Sequence, residues 1–190
     1  TNFMTIVNNI GCELIYPEDG DKVAVGDLVI EFFNCDHSDY YAAFGDGAVY
    51  NDCSLCNYVT IGDVVMMFTG DIEGTAMTAL QKSLRKCNIF KVPHHCGRGN
   101  YIPLFMNSVL PEIALTSLGD GYTFNCATEY NRSIFIANNT GLQKWFEDIG
   151  NVPNYVVGIM MTDIDMDISS HGYKFTSNVR RCIRTDEGLT

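Results

Sequence analysis

The stretch Val64-Val65-Met66-Met67-Phe68-Thr69-Gly70-Asp71-Ile72-Glu73 decides how this chain is read. Its first five residues are apolar at consecutive positions, the pattern of a strand covered on both faces rather than one wetted on alternate residues. Thr69-Gly70 ends the strand, so Asp71 falls at its C-terminal end. Downstream, Ala76, Met77, Leu80 and Leu84 recur at helical spacing, predicting an amphipathic helix over residues 73–86 with Lys82, Arg85 and Lys86 off the apolar face. Asn88 breaks that helix. Ile89-Phe90-Lys91-Val92 reads as a second strand, and Pro93-His94-His95 leaves it in a turn.

Working outward, the same alternation continues: a short helix over residues 103–110, a strand over 113–118, a helix over 142–149, a strand over 155–161 and a polar final hairpin or strand over 173–185. Upstream the texture differs. Segments 12–16, 23–25, 28–33 and 55–61 read as strands separated by Gly, Asp and Asn turns, giving a β-rich first sixty residues. The expected class is α/β in one domain spanning residues 1–190, with no repeat or linker dividing it.

With 190 residues, 46% of them hydrophobic, the chain has enough apolar material for a core. No charged, apolar and small-residue leader precedes the body, and the first residue is Thr1, so the sequence reads as processed or truncated. The longest apolar runs fall short of the ~20 residues of a membrane span. A net charge of −11 repels phosphate backbones and disfavours a nucleic-acid partner. The eight cysteines lack the tight spacing of a secreted disulfide scaffold, so mostly reduced thiols and a cytoplasmic setting are expected.

Two adjacent strand ends carry the polar chemistry, TGDIE (Thr69 to Glu73) and KVPHH (Lys91 to His95), and ligand sites in α/β sheets favour such ends. A carboxylate at one and an imidazole at the other suit zinc, manganese or iron. Asp71 has a competing role as N-cap of the following helix. His37, in Cys35-Asp36-His37-Ser38-Asp39, reads as a surface loop or a group near the site, and His171 as a turn residue. Cys53 and Cys56 form a lone C-x-x-C inside strand-like sequence, weak as a zinc or redox signal. Cys96 follows His95 directly, where a thiol coordinates metal, reacts or does neither. Asp163, Asp165 and Asp167 alternate with apolar residues, as on a solvated strand face.

The run VTIGDVVMMFTGDIE (Val59 to Glu73) followed by FKVPHHCGRG (Phe90 to Gly99) resembles the metallo-β-lactamase superfamily, most closely the hydrolase domain of ComEC-type DNA-uptake proteins. NDCSL (Asn51 to Leu55) and RTDEG (Arg184 to Gly188) are similar to further segments of that family. The resemblance implies a four-layered αββα sandwich, of which this chain would supply the C-terminal half to two-thirds. It further implies a site of two zinc ions in which Asp71 and His95 are ligands, Asp71 bridging, while His94 assists by orienting a ligand or touching substrate. The implied reaction is hydrolysis of a phosphodiester or related small ester, with water acidified at the metal. Three departures stand beside the matches. The family's HxHxDH motif is absent among the four histidines, His37, His94, His95 and His171. Cys96 replaces the Gly after the histidine pair, and Tyr122-Thr123-Phe124-Asn125-Cys126 replaces a Gly-His-Pro-His. The chain is thus either part of a hydrolase or a non-catalytic binding or regulatory module with a decayed site. A truncated sandwich would also expose an apolar sheet face and associate through it.

Overall fold

A computed structural model describes residues 3–38, 50–96, 101–117, 154–157, 164–169 and 171–177. The expected helix at 142–149, the Tyr122 to Cys126 segment and RTDEG lie outside them. Helix α1 (Phe3–Ile10) precedes strands β1 (Lys22–Val25), β2 (Leu28–Phe33), β3 (Cys56–Ile61) and β4 (Val64–Phe68). Helix α2 (Gly74–Leu80), strand β5 (Ile89–Lys91), a 3-10 turn (Pro93–Cys96), helix α3 (Pro103–Val109) and strand β6 (Ile113–Ser117) follow. The last described elements are β7 (Asn154–Val157), β8 (Ile164–Ser169) and β9 (Gly172–Ser177).

Strands β1 to β7 form one seven-stranded sheet in sequential order, and β8 and β9 pair separately. The first four are an antiparallel meander; β4 to β7 run parallel. The switch follows from the connections. Gly26-Asp27 joins Val25 to Leu28 and Gly62-Asp63 joins Ile61 to Val64, each glycine at positive φ as a two-residue hairpin requires. The returns from β4 to β5 and from β5 to β6 carry a helix, α2 and then α3, and a helical crossover brings the chain back parallel. The class is therefore mixed α/β.

One face of the sheet holds the core. Cys56 and Tyr58 on β3, Met67 on β4, Phe90 on β5 and Ala114 on β6 meet Ala76, Met77 and Leu80 of α2 and Phe105, Met106 and Val109 of α3. Phe90, Phe105, Met67, Ile72 and Met77 are fully buried, each burial worth about 1.5–3 kcal/mol. The other face is unevenly covered: Val64 and Ile89 are buried, but Phe68 is 40% exposed. The apolar run of β4 is thus graded on both faces, from buried Met67 to partly buried Val65 on one and from buried Val64 to exposed Phe68 on the other.

Two expected elements differ. The amphipathic pattern continues to residue 86, yet α2 ends at Leu80. Beyond it, Arg85 N donates to the Tyr58 hydroxyl at 3.0 Å, that hydroxyl donates to Arg85 O at 3.3 Å, and the Arg85 guanidinium sits 4.2 Å from the Tyr58 ring centroid. Contacts to β3 outweigh the intrinsic preference for another turn of helix. The N-terminal strand expectation also fails, because residues 3–10 are helical and 12–16 join no strand. Gly11 at φ 68 closes α1, with Gly11 N bonding Asn8 O and Cys12 N bonding Val7 O, the pair of bonds that ends a helix on a left-handed glycine. Among the described residues, no helix is long and apolar enough to cross a membrane.

Candidate metal centre

Because β4 and β5 are parallel neighbours, with Met67 beside Phe90, both chains leave the sheet at the same edge. Asp71 and the histidine pair therefore emerge side by side. His95 Nε2 lies 3.5 Å from Asp71 Oδ1, and Lys91 Nζ lies 3.6 Å from the same oxygen. One residue earlier in the turn, His94 Nδ1 lies 2.8 Å from Glu73 Oε1. Two carboxylates at alternate positions thus face two consecutive imidazoles.

The backbone is shaped to allow this. Gly70 takes φ 53, and its carbonyl accepts from His94 N at 3.2 Å and Lys91 Nζ at 3.0 Å, joining the two strand ends. Thr69 Oγ1 adds a bond to Lys91 O at 3.2 Å. His94 (φ 44) and His95 (φ 51) both occupy the left-handed region. That conformation costs a non-glycine residue roughly 1–2 kcal/mol, and such strain persists where surrounding structure imposes it.

Behind TGDIE stands the segment Asn51 to Leu55, whose side chains hold it in place. Ser54 Oγ accepts from Asp71 N at 3.0 Å, and the buried Asp52 carboxylate accepts from Glu73 N at 2.7 Å and Ala76 N at 3.2 Å. Asp52, from a different segment, therefore caps α2; the capping role open to Asp71 in the sequence is filled by another residue. Asn51 Nδ2 donates to Glu73 Oε1 at 3.0 Å. Asn34, 2% exposed and at φ 58, donates to the carbonyls of Asp52 at 2.9 Å and Ser54 at 2.8 Å, anchoring the whole segment to the end of β2.

These supporting residues were missed in the sequence. NDCSL was visible only as a likeness, with no role attached, and Asn34 carries no local signal because its partners are 18 and 20 residues away. His37 Nε2 lies 2.7 Å from Asn34 O, one step further from Asp71, and His171 sits in the β8–β9 turn. The Cys96 backbone closes the 3-10 turn. Cys53 and Cys56 are free thiols; Cys56 Sγ is buried, donating to Ser54 O and Thr69 O. Burial pushes the Cys56 thiol well up, which opposes the thiolate chemistry a redox pair needs. Asp165 and Asp167 fall on β8, paired with Thr176 and Lys174 of β9.

The donor pair can be tested for fit to a cation. Two protein atoms each about 2.1 Å from one tetrahedral ion stand about 3.4 Å apart. Asp71 Oδ1 and His95 Nε2 are separated by 3.5 Å, so this pair fits two positions of such a site. Among the described residues no third His, Cys, Asp or Glu completes the group. No protein family matches the chain, and no curated protein matches it.

Proposed function

We propose that this chain carries the Asp71 and His95 half of a metal-dependent hydrolase site of the metallo-β-lactamase type, in a four-layered αββα sandwich, cleaving a phosphodiester or related small ester. The observation that carries the reading is the 3.5 Å approach of His95 Nε2 to Asp71 Oδ1 at the C-terminal ends of two neighbouring parallel strands. Asp71 and His95 would hold the metal, zinc by preference and manganese or iron as substitutes. When bound, the ion supplies Lewis acidity toward a phosphoryl or carbonyl oxygen and lowers the pKa of water.

The chain's own residues do the positioning. Ser54 holds the Asp71 backbone, Gly70 lets the two strand ends meet, and Lys91 places an ammonium 3.6 Å from Asp71 Oδ1. That ammonium neutralises carboxylate charge beside the site and offers an anionic substrate a local contact within a chain of net charge −11.

The second reading is a non-catalytic binding or regulatory module, favoured by the absence of HxHxDH from the sequence. Zinc titration by calorimetry tests the first. Wild type is expected to bind and Asp71→Ala and His95→Ala to lose binding; unchanged binding in both variants refutes the ligand assignment. Hydrolysis of a chromogenic phosphodiester by the zinc-loaded protein, lost in Asp71→Ala, separates enzyme from module.

A further inference from the structure

The contact between Glu73 and His94 is not used by the Asp71–His95 pair. Glu73 Oε1 is anchored by Asn51 Nδ2 at 3.0 Å, and the Glu73 backbone N is fixed by Asp52 Oδ1 at 2.7 Å. On the other side, His94 is held by its bond to Gly70 O and by its left-handed backbone at φ 44. Between these anchors, His94 Nδ1 is buried and lies 2.8 Å from Oε1. As it stands this approach is not a hydrogen bond, and rotation of the imidazole ring or of the Glu73 carboxylate is needed to make it one.

An unprotonated Nδ1 would put two electron-rich atoms 2.8 Å apart, with the nitrogen out of reach of water. A protonated Nδ1 turns the same contact into attraction. We propose that Glu73 is a positioning residue that holds neutral His94 as the Nδ1–H tautomer, leaving Nε2 as the ring's lone-pair atom. A histidine oriented by a carboxylate at one nitrogen is prepared to use the other as a metal ligand or proton acceptor. This last consequence rests on the metal reading of the neighbouring Asp71 and His95; the tautomer does not.

The test is long-range 1H–15N correlation NMR of the metal-free chain at pH 8. Wild-type His94 is expected as Nδ1–H, against the ordinary preference of imidazole for Nε2–H. Glu73→Gln, which keeps an acceptor oxygen, retains that form, and Glu73→Ala reverts to Nε2–H. Nε2–H in wild type, or Nδ1–H persisting in Glu73→Ala, overturns the assignment, and the wild-type measurement decides even if a variant fails to fold. Zinc titration separates the two claims. If wild type binds no zinc, the metal reading falls and the tautomer stands. If zinc binds, Glu73→Ala is expected to weaken it about 10–100-fold, and unchanged affinity overturns the positioning role.

Discussion

Gly70→Ala puts the geometry of the candidate site under direct stress. A Cβ on Gly70 would lie 2.6 Å from Ser54 Cβ and 2.8 Å from Ser54 Oγ, closer than carbon and oxygen tolerate, while the backbone sits at φ 53. Three penalties follow from that placement. Left-handed backbone costs alanine about 1 kcal/mol relative to glycine. Forcing Ser54 aside in a packed segment costs about 1–3 kcal/mol. Moving Ser54 breaks its 3.0 Å bond to Asp71 N, worth about 1 kcal/mol. The expected destabilisation is about 3–5 kcal/mol, a large share of the ~5–15 kcal/mol that holds a typical domain. Urea unfolding followed by circular dichroism reads it. Ser54→Gly removes both colliding atoms, so the double variant escapes the packing penalty and loses the Asp71 N bond once rather than twice, giving a coupling of about 2–4 kcal/mol between the sites. A Gly70→Ala variant within about 1 kcal/mol of wild type, or no coupling to Ser54→Gly, refutes the reasoning.

Two further predictions concern the supports. Asp52→Ala strips the cap from α2 and should cost about 2–3 kcal/mol by urea unfolding, because Glu73 N and Ala76 N lose their shared acceptor; Asp52→Asn, which keeps an oxygen, should cost less. Glu31 supplies a pH dependence. Burial raises its pKa, but Arg85 at 2.7 Å and Lys22 at 3.5 Å outweigh that and hold the carboxyl below its ordinary 4.5. A folded pKa below the unfolded one means stability present above about pH 4.5 and lost as pH falls through the lowered value. Thermal unfolding of Glu31→Gln should therefore show a flatter acid limb than wild type, by under about 1 kcal/mol for so solvent-screened a pair. An identical limb removes the ion pair from the account.

Chain-local physics made part of this protein legible. An unbroken apolar run marked β4, Ile89-Phe90 before Pro93 marked β5, Gly, Asp and Asn turns marked the bounds of the upstream strands, and the helical spacing of Ala76, Met77 and Leu80 marked α2. Asp71 and the histidine pair could be placed at strand ends because Gly70 and Pro93 punctuate the strands there. The Gly11 stop of α1 was equally local but lay in a segment whose apolar residues also suit a strand.

What the tertiary structure decided is distance between residues far apart in sequence. Parallel pairing of β4 with β5 brings Asp71 to His95, and the return of Asn51 to Leu55 beneath the turn delivers Asp52 to α2 and Ser54 to Asp71. The end of α2 was settled by the Tyr58 hydroxyl and ring, 27 residues from Arg85. Hydrogen bonds and ion pairs act over a few ångströms of space whatever the separation along the chain. Periodicity therefore predicts the elements and the strand ends, while the partners of Asp71, Glu73 and His94 exist only once the sheet has formed.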